Sequence, residues 1–257
     1  MNIFRRLYVA VSREIRIVTS PSFVFQSIFE PLIYLGIFAP LMGRVLSTVT
    51  YQGIEYSYIA FLLPGILTLT AFTTGIRSGS SFRIEYSSGE IETLFSLPVR
   101  RSELYFSKMF GIVIQTWIET TILLVLGTIL AEGLLLSPMR IVWIFLVTGG
   151  FCIIFAPIII LLSSIMKNSE APMAIMTLIM MPLMMLSSVF YPVVGEGMLS
   201  TIMRINPISQ AAHLLRTCLL VPSIEFFNVI LPIIYLVLIG VVTTLSGLWA
   251  YSRALEN

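Results

Sequence analysis

The chain has no aspartate, a single histidine (His213), two cysteines and two lysines in 257 residues. Without Asp or an H-E-x-x-H run it offers neither an aspartyl dyad nor a zinc-protease helix. Neither Lys108 nor Lys167 follows a glycine and no G-x-x-x-x-G-K-[ST] occurs, so the chain cannot cradle nucleotide phosphates itself. Cys152 lies in an apolar run and Cys218 in a late loop, so no redox compartment can be read from them. Charge is scarce as well: 11% of residues are charged against 57% hydrophobic, a balance foreign to soluble domains of this size. The net charge of +2 says little, and no nucleic-acid partner is expected.

What is present is hydrocarbon-length apolar sequence. Six stretches can cross about 30 Å of lipid as helix: Phe23–Met42, Ile59–Ile76, Leu104–Leu130, Val142–Ile165, Ala171–Tyr191 and Phe227–Tyr251. The expected fold is all-α, a single polytopic membrane domain over residues 1–257 with six transmembrane helices. Within it, 1–19 is an interfacial helix, 23–76 spans one and two, and 77–103 a charged segment. Residues 104–191 hold spans three to five, 192–226 an interrupted segment, and 227–251 the last span. No soluble module is expected at either end.

Plotted as a helix, Arg5, Arg6, Arg13 and Arg16 share one arc and Phe4, Leu7, Tyr8, Val11, Ile15 and Val18 the other, which suits a helix lying on a membrane surface. A secretory signal would need a separate short apolar core and a small-residue cleavage site, which this stretch lacks. Ser20-Pro21 then caps the first span. Glu30-Pro31 falls about nine residues in, near mid-membrane, and Glu119 is similarly deep in the third span. A carboxylate at that depth must face protein, water or a partner, so both are candidates for a pathway or a dimer seam. For Glu30 a structural hydrogen bond beside the proline kink is the simpler alternative. Glu119 has Gln115 and Thr116 as expected neighbours. The Met-rich fifth span, from Met173 to Met185, reads as soft packing rather than a copper site, and no metal site is expected.

The most charged stretch is Arg77 to Lys108, which holds nine of the 28 charged side chains. Ser87 and Glu90 have capping-box spacing, Pro98 ends the helix they would open, and Ser102 offers a further N-cap. Spacing alone allows either a short surface helix or a solvated loop joining two spans. The residues Gly89, Glu92, Leu94, Phe95, Pro98, Val99, Arg101, Glu103, Leu104 and Lys108 resemble the G-x-x-E-x-L-L-x-x-P-V-x-R-x-E-L-x-x-x-K signature of ABC-2 type permeases. Two further runs are similar to that family. Tyr58, Phe61, Leu62, Pro64 and Gly65 match Y-x-x-F-L-x-P-G, and Asn206-Pro207-Ile208-Ser209 with Ala211 and Arg216 matches N-P-[LIF]-[ST]-x-A…R.

The resemblance implies a membrane subunit of an ATP-driven exporter in which Gly89, Glu92, Leu94, Phe95, Pro98 and Arg101 form the coupling helix. It implies a separate ATPase in two copies carrying ATP and Mg, no cofactor on this chain, and re-entrant helices before the last span. Tyr191, Pro192, Asn206, Pro207, His213 and Arg216 would then form an outer gate. His213 and Arg216 stand one turn apart, which suits anionic head groups or a structural tie to Glu196 or Glu225.

Six spans are half of the usual complement for such a pore, so a homodimer is expected. With both termini cytoplasmic, eleven Lys and Arg lie inside and four outside, which places the charged segment in the cytoplasm of a cell whose plasma (inner) membrane holds the chain. Gly79-Ser80-Ser81 superficially resembles a G-x-S nucleophile but falls on the opposite side from His213, against an intramembrane enzyme. An ion-coupled secondary carrier would usually show internal repeats, and none is evident. Cargo within the resembled family ranges over drugs, lipids and lipid-linked glycans, and the sequence leans towards hydrophobic or amphiphilic molecules without choosing one.

Overall fold

The computed structural model describes residues 11–16, 19–87, 101–166, 171–193, 195–222 and 226–253. Residues 11–16 are helical, and the rest of the expected interfacial helix lies outside the described residues.

The first apolar run forms helix α1 (Pro21–Ile33), a π turn (Tyr34–Phe38) and α2 (Ala39–Val45). Pro21 starts α1 where its missing N–H is no loss. Pro40 has no N–H for the Gly36 carbonyl, and the chain widens just before it, with the Ala39 N–H reaching back five residues to Tyr34. A two-stranded antiparallel hairpin follows, β1 (Thr48–Tyr51) and β2 (Ile54–Ser57). Gln52 and Gly53, at its tip, both have positive φ (51° and 78°), as a two-residue type I′ turn requires.

Then come the long helices α3 (Tyr58–Ser87), α4 (Arg101–Leu130) and α5 (Pro138–Ile165) and the shorter α6 (Ala171–Met185). Two short helices, α7 (Met198–Ile205) and α8 (Pro207–Leu220), lead to the last, α9 (Phe226–Arg253). Helix α3 runs on to Ser87, so the first part of the charged segment continues the span and Ser87 is its last described helical residue, not an N-cap. Ser102 is likewise already helical, one residue inside α4.

Five helices among the described residues are long and apolar enough to cross a membrane: Ile28–Val45, Tyr58–Gly79, Ser102–Leu130, Pro138–Ile165 and Phe227–Ser252. The expected fifth span, Ala171–Tyr191, is helical only over the 15 residues of α6. Such a helix is roughly 22 Å long, short of the bilayer core. It ends where the Ser187 hydroxyl donates to the Met184 carbonyl at 2.6 Å.

Helices α3 and α5 form the centre, with α4, α8 and α9 packed around them. Gly75 and Gly79 sit one turn apart on α3 and face Cys152 and Ala156, one turn apart on α5; a Cβ on Gly79 would lie 2.8 Å from the Ala156 carbonyl oxygen. With no hydrophobic force between helices in lipid, such close backbone approach is what holds them together. Gly79→Leu should therefore destabilise the fold by about 1 to 3 kcal/mol, read as earlier thermal unfolding in detergent. Tyr105 of α4 donates to the Thr244 carbonyl of α9 at 3.1 Å, and Trp117 to the Phe145 carbonyl of α5 at 2.8 Å.

Candidate functional site

Two polar assemblies stand out in an otherwise apolar bundle. The larger lies at the end that carries the hairpin, where α6 breaks at residues 186–191 and α8 packs against α3. Asn206 caps α8 by accepting from the Ile208 N–H at 2.9 Å, while its amide donates to the Leu183 and Leu186 carbonyls at 2.7 and 3.0 Å. One side chain thus starts one helix and closes another. Pro207 occupies the first turn of α8, where a proline fits. Ser209 accepts from the Ser188 N–H at 2.9 Å, and the Tyr58 hydroxyl donates to the Phe190 carbonyl at 3.0 Å. Tyr191, exposed, donates to the Met185 carbonyl, and Pro192 follows it, half-buried.

Arg216 is the keystone of this end. Its guanidinium is 1% exposed, lies 3.8 Å from the Phe61 ring centroid, and donates to the carbonyls of Phe61 (3.2 Å), Ser188 (2.7 Å) and Val189 (2.9 Å) and to the Ser188 hydroxyl (3.3 Å). The expected tie to Glu196 is therefore replaced by backbone carbonyls, while Glu225 lies outside the described residues. Carbonyl dipoles solvate a buried cation without the second desolvation that a buried carboxylate would bring. Gly65 lets this happen, since a Cβ there would sit 2.8 Å from the Val189 carbonyl oxygen.

His213, one turn earlier, bridges the hairpin and α9. Its Nε2 faces the Asn228 carbonyl at 3.2 Å, so Nε2 carries the proton and Nδ1 accepts from the Tyr51 hydroxyl at 2.7 Å. Burial lowers the His213 pKa, a trend the Asn228 carbonyl opposes and the Arg216 charge reinforces. The neutral ring is thus the folded form, and its contribution to stability is lost as pH falls below about 6.5.

The far end of α8 is equally well tied. Arg140 of α5 donates to the Cys218, Val221 and Pro222 carbonyls at 2.8 to 2.9 Å, Tyr56 of the hairpin to Leu220 at 2.9 Å, and the Leu135 N–H to Leu219 at 2.8 Å. These are the carbonyls a helix leaves orphaned at its C-terminus, and a cation there also complements the helix dipole.

The second assembly joins α3 to α4 in mid-bundle. Glu119 is 1% exposed and accepts from Thr74 at 2.5 Å and Gln115 at 2.9 Å, with the Arg77 guanidinium at 3.6 Å. Ser78 donates to the Gln115 amide oxygen at 3.1 Å. The expected Gln115 partner is present, whereas Thr116 turns back to the Ile112 carbonyl. Thr74 and Arg77 were not foreseen as partners. Glu30, by contrast, is exposed on α1 beside Phe29 and Ile33, and makes no hydrogen bond among the described residues.

Gly89, Glu92, Leu94, Phe95 and Pro98 lie outside the described residues, and Arg101 is the first residue of α4. Among the described residues no group of three or more His, Cys, Asp or Glu could hold a metal ion.

Comparison with known proteins identifies the family. Residues 45–249 match the family model described as ABC-2 family transporter protein. The chain is 24% identical over 220 residues to the transport permease ycf38 of Cyanophora paradoxa, covering 82% of this chain and 71% of that one. It is 24% identical over 198 residues to the daunorubicin resistance ABC transporter permease protein DrrB1 of Streptomyces coeruleorubidus, covering 75% of this chain and 66% of that one. With four-fifths of its length inside the family match and the apolar helices to cross a bilayer, the chain belongs to the ABC-2 family of membrane transport permeases.

Proposed function

We propose that this chain is the membrane subunit of an ATP-driven exporter that moves a hydrophobic or amphiphilic cargo out of the cytoplasm. Two copies cross the plasma (inner) membrane six times each, with their termini in the cytoplasm and the short α6 together with the bent segment 186–191 making the fifth crossing. A separate ATPase, also in two copies, binds ATP and Mg and drives them. The observation that carries this reading is the convergence of two distant runs, Tyr58–Gly65 and Asn206–Arg216, on the break at Ser188–Tyr191. It gives one end of the bundle a built closure, while the end of α3 at Ser87 and the start of α4 at Arg101, which flank the charged segment, lie at the other, where an ATPase would push. The drug-resistance permease among the relatives supports an amphiphilic cargo moving outward.

The reading is tested by reconstituting the purified chain with and without its ATPase. ATP-dependent movement of cargo should need both, and movement driven by an ion gradient without the ATPase would overturn the proposal. Glu92→Lys should leave insertion intact but lower recovery of the ATPase on co-purification by about tenfold, because an attractive charge becomes a repelling one. Undiminished recovery would remove Glu92 from the docking surface.

A further inference from the structure

At the hairpin end, a cavity of about 680 Å³ opens between the hairpin, α7, α8 and the first turns of α9. Among the described residues, Arg204, Arg216 and His213 line it and no carboxylate does. Arg216 spends four of its five N–H donors on neutral acceptors, which solvate its positive charge without cancelling it. Two guanidiniums on one wall attract an anion, and a guanidinium suits phosphate and carboxylate oxygens above all.

The mouth of the same cavity is apolar. Phe227 and Leu231 line it and begin an exposed strip on α9 that continues through Ile234, Leu238 and Val241. Beside it, α7 leaves Met198, Leu199, Ile202 and Ile205 exposed while Ser200 and Met203 are buried, and Arg204 stands in its last turn. A short helix with such a face rests at the level where lipid head groups meet acyl chains.

We propose that this cavity binds the anionic head group, phosphate or carboxylate, of an amphiphile whose hydrocarbon stays in the bilayer along the α9 strip. As a statement about cargo it rests on the transport reading above and narrows it to acidic amphiphiles.

The test uses the full chain in phosphatidylcholine nanodiscs, without ATPase or nucleotide. Trace photoactivatable phosphatidic acid, or phosphatidylcholine with the same acyl chains, is crosslinked and the labelled peptides are mapped. The acidic probe should label α7 to α9 about tenfold more than the zwitterionic one. Arg204→Gln and Gln210→Glu, which remove a positive charge from the cavity wall and add a negative one, should each cut that labelling about fivefold. Excess inorganic phosphate should leave it unchanged. Equal labelling by the two probes, labelling unaffected by both variants, or displacement by inorganic phosphate would each overturn the proposal. Arg216→Gln is avoided as the primary variant because the same side chain holds the break at 188–189 together. Because neither ATPase nor transport enters the assay, its failure would leave the exporter reading standing.

Discussion

Replacing Arg216 with Leu should cost about 3 to 5 kcal/mol and abolish cargo movement, the largest single effect expected in this chain. The substitution leaves the carbonyls of Phe61, Ser188 and Val189 without their donor in a site closed to water. It also removes the cation stacked on Phe61. For a chain of this length the thermal midpoint in detergent should fall by roughly 10 °C. Arg216→Lys should recover only part of the loss, since a single ammonium cannot reproduce a planar fork that reaches three carbonyls. Arg44, an exposed cation, supplies the control, and Arg44→Gln should change the midpoint little. An Arg216→Leu protein that melts with the wild type would show the carbonyl cage to be dispensable.

Glu119→Leu ranks second. It strands the Thr74 hydroxyl and the Gln115 amide in the interior and removes the carboxylate 3.6 Å from the Arg77 guanidinium, a loss of about 3 kcal/mol. Glu119→Gln keeps an acceptor and the shape of the side chain, so it should cost about 1 kcal/mol and preserve transport. A double-mutant cycle with Arg77→Gln separates the ion pair from the hydrogen bonds. Because the Arg77 side chain is 31% exposed, its share of the coupling should stay below about 1 kcal/mol. Leu at 119 with unchanged melting and unchanged transport would make the cluster ornamental.

How far the residues alone disclose this arrangement depends on what kind of partner each one has. Asn206-Pro207 reads directly as a helix start, because capping is a local interaction between neighbours in sequence. The Gln115–Glu119 bond was legible for the same reason, being one helical turn long. Arg216 was not, since charge patterns point to carboxylates and its partners are the backbone carbonyls of Phe61, 155 residues back, and of a break 27 residues away at Val189. The helix of the expected fifth span stops short of its apolar run for a related reason. Its apolar run continues past Met185, but Ser187 and Ser188 turn the chain there, and hydropathy does not register hydroxyls that bond to their own backbone. The Gly75-x-x-x-Gly79 contact did carry a sequence signal, two glycines four apart in an apolar helix, and it passed unread.

The hairpin meets its partners only after a long wait. Tyr51 and Tyr56 reach His213 and Leu220 across 162 and 164 residues of chain. At ordinary elongation rates that separation corresponds to roughly ten to thirty seconds between synthesis of the two sides. During that interval the first three helices can insert and pack through their local contacts, while the hairpin, Tyr58 and the Phe61 ring face an unfilled place. Arrival of α8 then joins residues from the first quarter of the chain, the α4–α5 connection, α5 and the break after α6 in one closing step. The extracellular cap in the proposed orientation therefore closes late: a chain cut short before Arg216 lacks both the side chain that ties the break to α3 and the carbonyls that Arg140 and Tyr56 hold.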